Sequence, residues 1–145
     1  MKSTHGSIWK AFVGLVLAGL FGIAGTTAAS AQATTTYTSV QNQFGATITL
    51  DTASCTSGGS ISPTFSIGTG LSSGTFSGTT TSSSTLCNVR YQSGIYGCQF
   101  QISASSSGGL FSSANAYKGS GGKPICEVVT DGSISGGWQA TFRMR

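Results

Sequence analysis

The sequence predicts an all-β protein: a single small antiparallel β-sandwich or barrel that holds two disulfides and follows a cleaved signal peptide. Three observations predict this fold class. Gly, Ser and Thr dominate the composition, whereas good helix formers such as Glu, Lys and Leu are scarce. No stretch repeats apolar residues at helical spacing, while several alternate apolar and polar residues with the period of two that is typical of strands. All four cysteines follow the apolar N-terminal segment.

The N-terminus has the three parts of a secretory signal. Lys2 and Lys10 supply positive charge, an apolar run follows over 11–24, and small residues then lead to Ala31 and Ala33. Charged, apolar and small residues in this order, with small side chains before the cut, are typical of a signal peptide. The apolar run is shorter than the roughly 20 residues that a spanning helix needs, and glycines interrupt it. We therefore expect cleavage after Ala31, or after Ala33.

Cleavage at this point divides the chain into a signal peptide, 1–31, and an exported β domain, 32–145. No second apolar run follows, so we expect no membrane span after cleavage. The expected location is secreted, periplasmic or at the cell surface. A domain of this size has a modest core and benefits from covalent cross-links.

Strands are predicted where apolar and polar residues alternate. Such alternation runs over Val40–Leu50, Ile61–Ile67 and Trp138–Met144. Period two places one set of side chains on each face of a strand, so each segment is expected to be half buried. Pro63 lacks a backbone donor, which predicts that its strand is an edge or begins nearby.

The remaining elements are less sharply marked. Further strands are expected over Leu110–Tyr117 and Ile125–Val129. The Ser/Thr/Gly-rich stretch 70–85 is either a mobile loop or contains a weak strand at 75–77. Short strands with frequent turn residues favour the sandwich or barrel.

Four cysteines, Cys55, Cys87, Cys98 and Cys126, form an even set in a chain that is expected to be exported. An oxidising compartment and an even count predict two disulfides. A zinc site usually needs close C-x-x-C pairs, and the shortest gap here runs from 87 to 98.

A hairpin over Leu86–Ile102 suggests how the cysteines pair. A four-residue loop over 91–94 would set Cys87 directly opposite Cys98, close enough for a disulfide after small adjustment. A two-residue loop at 93–94 would make them diagonal neighbours. We therefore predict Cys87–Cys98, which leaves Cys55–Cys126. The alternative is Cys55–Cys87 with Cys98–Cys126.

The catalytic groups of common enzymes are missing from 32–145. The one histidine, His5, lies in the predicted signal, so Ser-His-Asp and Cys-His catalysis in their common forms are excluded. Asp51, Glu127 and Asp131 are the only carboxylates, too few and dispersed to predict a glycosidase pair or a calcium cage. We expect a non-enzyme with no catalytic residue, metal or cofactor.

The charge gives no sign of a nucleic-acid partner. Outside the predicted signal the cations are Arg90, Lys118, Lys123, Arg143 and Arg145. Dispersed cations do not form the basic stripe that phosphate binding requires.

Aromatic residues and one loop supply the candidate contacts. Tyr91, Tyr96 and Trp138 alternate in phase with apolar neighbours and are expected in the core. Tyr37 and Tyr117 are freer to be exposed, and amphipathic rings suit contact with proteins or glycans.

The loop over 118–124 carries Lys118 and Lys123, which are the other two candidate contact residues. Loops on a rigid disulfide-linked frame commonly carry binding residues. The alternative is a flexible connector.

An Ala/Thr-rich start, an alternating strand and then Ala53-Ser54-Cys55 resemble the beginning of mature chaperone–usher pilins. The resemblance covers about the first quarter of the expected mature chain. Met144 departs from it, since such pilins usually carry an aromatic residue there. The alternation of Thr34–Leu50 also suits addition of this segment to a neighbour's sheet.

Together these features predict an exported, non-catalytic structural or surface/adhesive β-domain that self-assembles by strand addition. The alternative is a monomeric secreted binding module or inhibitor that recognises a protein or glycan through its loops. The expected partners are the chain itself, another surface protein or a glycan.

Overall fold

A computed structural model of the chain describes residues 31–145, and these residues form two β-sheets packed face to face, with no helix among them. The predicted all-β sandwich is thereby confirmed. Within this range no helix is present that is long and apolar enough to cross a membrane. The predicted signal peptide, 1–31, lies outside the described residues except for Ala31.

Ten strands make up the described part of the chain. They are β1 (Thr34–Asn42), β2 (Ile48–Cys55), β3 (Ser60–Ile61), β4 (Ser66–Ile67), β5 (Phe76–Thr79), β6 (Ser84–Ser93), β7 (Tyr96–Ser105), β8 (Gly108–Lys118), β9 (Cys126–Ile134) and β10 (Gly137–Met144). Sheet A has the order β3-β5-β1-β10-β9, and sheet B has the order β4-β2-β6-β7-β8. Neighbouring strands are antiparallel except β1 and β10, which pair in parallel.

The predicted strand over Val40–Leu50 is two strands in different sheets. β1 ends at Asn42, the chain turns with Gly45 at φ 86°, and β2 begins at Ile48. The side chain of Asn42 holds this turn, because its Nδ2 donates to the Ala46 carbonyl at 2.8 Å and its Oδ1 accepts from the Phe44 amide at 3.0 Å. The apolar–polar alternation that continues through the turn therefore does not mark one continuous strand.

The segment over Ile61–Ile67 also divides between the sheets. β3 lies at one edge of sheet A and β4 at one edge of sheet B, with Pro63 in the connection between them. This agrees with the prediction that a proline here marks an edge. The uncertain stretch 70–85 contains a strand, since β5 lies between β3 and β1.

Tyr37 lies in the centre of the core, and the expectation that it would be exposed is wrong. β1 occupies the middle of sheet A, so the Tyr37 ring stacks on Phe76 at 4.9 Å between centroids and meets Phe142 at 5.4 Å. Its hydroxyl crosses to sheet B and donates to the Cys87 carbonyl at 2.7 Å. Burial raises the pKa of the Tyr37 phenol far above its usual range.

The other aromatic predictions agree with the structure. Tyr91 is fully buried, and its hydroxyl donates to the Thr64 carbonyl at 2.6 Å. Tyr96 and Trp138 are half buried and pack against the core. β10 also forms as predicted.

The disulfide prediction Cys87–Cys98 with Cys55–Cys126 is wrong, because the hairpin turns later than expected. Ser93 pairs with Tyr96 around a two-residue turn whose first residue, Gly94, has φ 58°. A positive φ at this position is typical of tight hairpin turns and is easiest for glycine. In this register Cys87 faces Ile102, and Cys98 faces Tyr91.

The observed disulfides are the alternative pair. Cys55 lies directly opposite Cys87 across β2 and β6, with Cα atoms 4.0 Å apart. Cys98 on β7 is bonded to Cys126 on β9, with Cα atoms 5.7 Å apart. The first disulfide cross-links two strands of sheet B, and the second joins the two sheets. Two such bonds favour an oxidising compartment.

The Cys55–Cys87 disulfide packs against the backbone of β5 at Gly78. A Cβ atom at Gly78 would lie 2.5 Å from Cys87 Sγ and 2.7 Å from Thr35 Oγ1. Both atoms belong to buried side chains on neighbouring strands, so these side chains have little freedom to move away from an added Cβ atom.

The disulfide pairing can be checked by tryptic mapping of the denatured, unreduced protein. The peptide that ends at Arg90 contains both Cys55 and Cys87, so it should be closed on itself and joined to nothing else. The next two tryptic peptides should appear as one linked pair through Cys98 and Cys126. Either other pairing would join all three peptides, and that single mass would contradict the structure.

Substitution of Gly78 tests the close packing over the disulfide. We expect Gly78→Ala to lower the free energy of unfolding by about 1–3 kcal/mol, the usual cost of an overpacked core. Urea denaturation of the disulfide-bonded protein measures it. The control is Gly132→Ala on β9, where a Cβ meets nothing within 4 Å, and its effect should stay within about 0.5 kcal/mol. Equal effects would show that the packing at Gly78 is looser than described.

Candidate functional site

The positive charges gather at one end of the sandwich, which we call the upper end. Here β8 ends at Lys118, β9 begins beside the end of β10, and the β6–β7 turn lies close by. Arg143 pairs with Glu127 in this region, and the backbone of Arg145 is hydrogen-bonded to that of Ile125. The cations that the sequence scatters along the chain therefore share one end.

A β-bulge sets the position of Tyr117. Gly97 pairs with Lys118 and Cys98 pairs with Ala116, so Tyr117 is the extra residue on β8. A bulge re-aims the side chain that it carries, and the ring of Tyr117 here lies directly over Gly97. A Cβ atom at Gly97 would be 2.6 Å from Tyr117 Cε1, so the ring takes the space that a side chain would fill.

Polar and charged groups surround this ring on the outer face of sheet B. The Tyr117 hydroxyl donates to Asp51 Oδ2 at 2.8 Å. The guanidinium carbon of Arg90 is 5.0 Å from the ring centroid and Lys118 Nζ is 5.3 Å from it, both within the range of cation–π attraction.

Two glutamines complete the arrangement. Arg90 Nε donates to Gln99 Oε1 at 2.7 Å, and Lys118 Nζ contacts Gln92 Oε1. These residues come from β2, β6, β7 and β8, which lie side by side in sheet B. We call the set the Tyr117 cluster; its members are Asp51, Arg90, Gln92, Gln99, Tyr117 and Lys118.

The cluster keeps Tyr117 as a neutral hydrogen-bond donor. Desolvation raises the pKa of its phenol well above the usual value, and the hydrogen bond to Asp51 and the negative charge of that carboxylate raise it further. The positive charge of Arg90 acts in the opposite direction. The phenol therefore stays protonated well into the alkaline range, and its hydrogen bond holds Asp51 in place.

Three cations at the upper end have no carboxylate partner. Within residues 31–145 both ion pairs use Glu127, which lies 2.7 Å from Arg145 and 3.7 Å from Arg143. Arg90, Lys118 and Lys123 have no carboxylate within ion-pair distance in that range. Asp51, the one carboxylate of the Tyr117 cluster, is hydrogen-bonded to the Tyr117 hydroxyl instead, so the cluster carries two positive charges against one negative charge.

The turn after β8 brings Lys123 close to the cluster. Ser120 and Lys123 exchange backbone hydrogen bonds of 3.1 and 3.2 Å around two glycines, so the predicted contact loop closes in a tight turn. Tyr117, Lys118 and Lys123 together line an open concavity of about 440 Å³. Three of the four predicted contact residues thus meet in one place, whereas Tyr37 lies in the core.

Sequence reasoning missed the cluster members on β2, β6 and β7. Arg90 and Gln92 alternate with buried Val89 and Tyr91, so the pattern predicted that they face outward. It did not indicate which side chains of other strands lie beside them, because that depends on strand order and on the bulge at Tyr117.

No protein-family model matches the chain, and no curated protein matches it. Within residues 31–145 no group of three or more His, Cys, Asp or Glu side chains is placed to hold a metal ion. The side chains at the upper end offer hydrogen bonds and attraction of negative charge.

Substitution of Asp51 tests the link between this carboxylate and the Tyr117 phenol. We expect Asp51→Asn to lower the pKa of Tyr117, since the variant loses a negative charge that disfavours phenolate. Alkaline titration, followed by phenolate absorbance and by the NMR signal of the ring, should show ionisation at lower pH than in the unmodified protein. The control is Asp131→Asn, which removes an equal charge next to Ser112. If the control lowers the Tyr117 pKa as much, Asp51 has no specific role.

Proposed function

We propose that the protein is an exported, non-catalytic structural domain of a surface assembly, in which β1 of one copy completes sheet A of the next. The observation that carries this proposal is the position of β1. It lies between β5 and β10, and both of these neighbouring strands are distant from β1 in the sequence.

The connectivity of β1 supports an exchange of this strand. Parallel neighbours cannot be joined by a tight turn, and the rest of the described chain separates β1 from β10. With the predicted signal removed, the only covalent link between β1 and the rest of the domain is the turn over 43–47. A neighbouring copy can therefore supply the same strand without breaking any other connection, which is the low-cost route of domain swapping.

Burial gives the exchanged strand its affinity. Thr35, Tyr37, Val40 and Asn42 are fully buried by the two sheets. Without β1, strands β5 and β10 would each expose an unpaired edge beside this apolar cleft, a strong template for another strand. The same contacts form whether β1 comes from its own chain or from a neighbour.

Composition is consistent with an assembled surface domain. Only 7% of residues are charged, and Ser, Thr and Gly cover much of the exposed strands. Low charge reduces the repulsion between identical copies. The resemblance of the N-terminal region to chaperone–usher pilins also favours this function.

The alternative, a monomeric secreted binding module, has its own observation in favour. The concavity lined by Tyr117, Lys118 and Lys123 is complete within one chain. Self-assembly and binding are separable by oligomeric state, so the test below addresses assembly alone.

Strand exchange can be trapped with two variants that each carry one added cysteine beside the two native disulfides, and that are differently tagged and co-exported. Thr36 on β1 lies opposite Ser77 on β5, and their hydroxyl oxygens are 3.2 Å apart. If β1 of one copy enters another, Thr36→Cys in the first chain and Ser77→Cys in the second should form a covalent heterodimer. Non-reducing electrophoresis detects it.

The matched control is the pair Asn88→Cys and Gln101→Cys, again on separate chains. These residues face each other across β6 and β7, which a two-residue turn keeps in one chain. We expect little heterodimer from this mixture. A first mixture that yields no more heterodimer than the control, with a protein that is strictly monomeric by size-exclusion chromatography, would refute assembly by β1.

A further inference from the structure

We propose that the Tyr117 cluster and Lys123 form a binding site for an acidic glycan, a sugar chain that carries carboxylate or sulfate groups. The site goes beyond the proposed assembly and does not depend on it. β1 belongs to sheet A, whereas the cluster is built from strands of sheet B, so a monomer and an assembled copy carry the same site.

The unpartnered cations indicate a negatively charged ligand. Only Nε of Arg90 donates within the described residues, to Gln99, and the two terminal nitrogens are left for another acceptor. These nitrogens form a planar fork that matches the two oxygens of a carboxylate or sulfate. Lys118 Nζ lies 5.3 Å from the centroid of the Tyr117 ring, so a second positive charge lies close to the ring that Arg90 also contacts.

The cluster is held in place before any ligand binds. Tyr117 is fixed by the bulge below it and by its hydrogen bond to Asp51. Arg90 is positioned by the ring and by Gln99, and Lys118 by the ring and by Gln92. Side chains that are already ordered lose less entropy on binding, so the site is preorganised for an anion.

The concavity next to the cluster has room for a sugar. Its volume of about 440 Å³ lies within the roughly 300–1,000 Å³ that is usual for small-ligand sites. Lys118 and Lys123 are both among the residues that line it, so a ligand placed there lies beside two positively charged residues.

The face that continues from the cluster favours a glycan over a protein partner. Two rows of outward polar side chains run across neighbouring strands, Arg90–Gln99–Asn115 and Asn88–Gln101–Ser113. Amides and hydroxyls match the hydroxyl groups of a sugar chain. A protein interface usually has a buried aromatic or apolar anchor, and neither of these two rows carries one; the next row does, at Phe111.

The probes for the test are oligomers of galacturonic acid, their methyl esters, sulfated dextran oligomers, neutral dextran oligomers and a DNA oligonucleotide. Isothermal titration of the purified mature protein measures each affinity. We expect binding of the galacturonate or the sulfated oligomers, weakening as salt is added, and none of the ester or neutral oligomers. The charged oligomer that binds more tightly shows whether the preferred anionic group is a carboxylate or a sulfate.

Variants locate the site. Arg90→Gln, Lys118→Gln and Lys123→Gln should each weaken binding about tenfold or more, the usual effect of losing a charge-assisted hydrogen bond. The matched control is Arg143→Gln, which removes one positive charge from the outer face of sheet A, where Arg143 contacts Gln41. It should change the affinity less than about threefold. Melting temperatures verify that the variants are folded.

Three results would overturn the proposal. The first is that neither charged oligomer binds. The second is that DNA binds as tightly as the preferred glycan, which would indicate attraction by net charge alone. The third is that Arg143→Gln weakens binding as much as Lys118→Gln. Each of these results leaves assembly through β1 untouched, because that proposal is tested by exchange between copies.

Discussion

The position of β1 inside sheet A is the constraint on which the rest of the structure depends. This strand brings Tyr37 to the centre of the core, where it packs against Phe76 of the same sheet and is hydrogen-bonded to the backbone of the other sheet at Cys87. The same strand places Thr35 beside Gly78, under the Cys55–Cys87 disulfide. Strand pairing, aromatic packing and one cross-link thus meet along β1, and loss of this strand would unpair β5 and β10, remove the Tyr37 packing and uncover the disulfide.

The second disulfide has a different consequence, since it fixes the upper end. Cys98 on β7 is bonded to Cys126 at the start of β9. The connection from β8 to β9 is therefore held by strand pairing with β7 where it begins and by the disulfide to β7 where it ends. The bulge at Tyr117 lies on β8 directly before that connection. A rigid frame around a bulged residue is a recurrent way to present a side chain to a ligand.

The two proposed activities lie on different sheets, and this separation allows them to coexist. Exchange of β1 would replace a strand of sheet A without altering the outer face of sheet B. An assembly of many copies would then repeat the Tyr117 cluster along its surface. Repeated weak sites on a linked array bind a repeating polymer far more tightly than one site does, which fits an acidic glycan.

The sequence by itself determined that the chain is all-β, that four cysteines form two disulfides, and which residues of β6, β7 and β10 share a face. Alternation is a local property, and it reports only the two faces of a strand. It could not distinguish one strand from two at Asn42, because apolar residues continue in phase through the turn. Tertiary structure decided the burial of Tyr37 and the Cys55–Cys87 and Cys98–Cys126 pairs. A hairpin turn displaced by one residue moves facing partners by two positions, so cysteine pairing depends on a register that composition and alternation leave open.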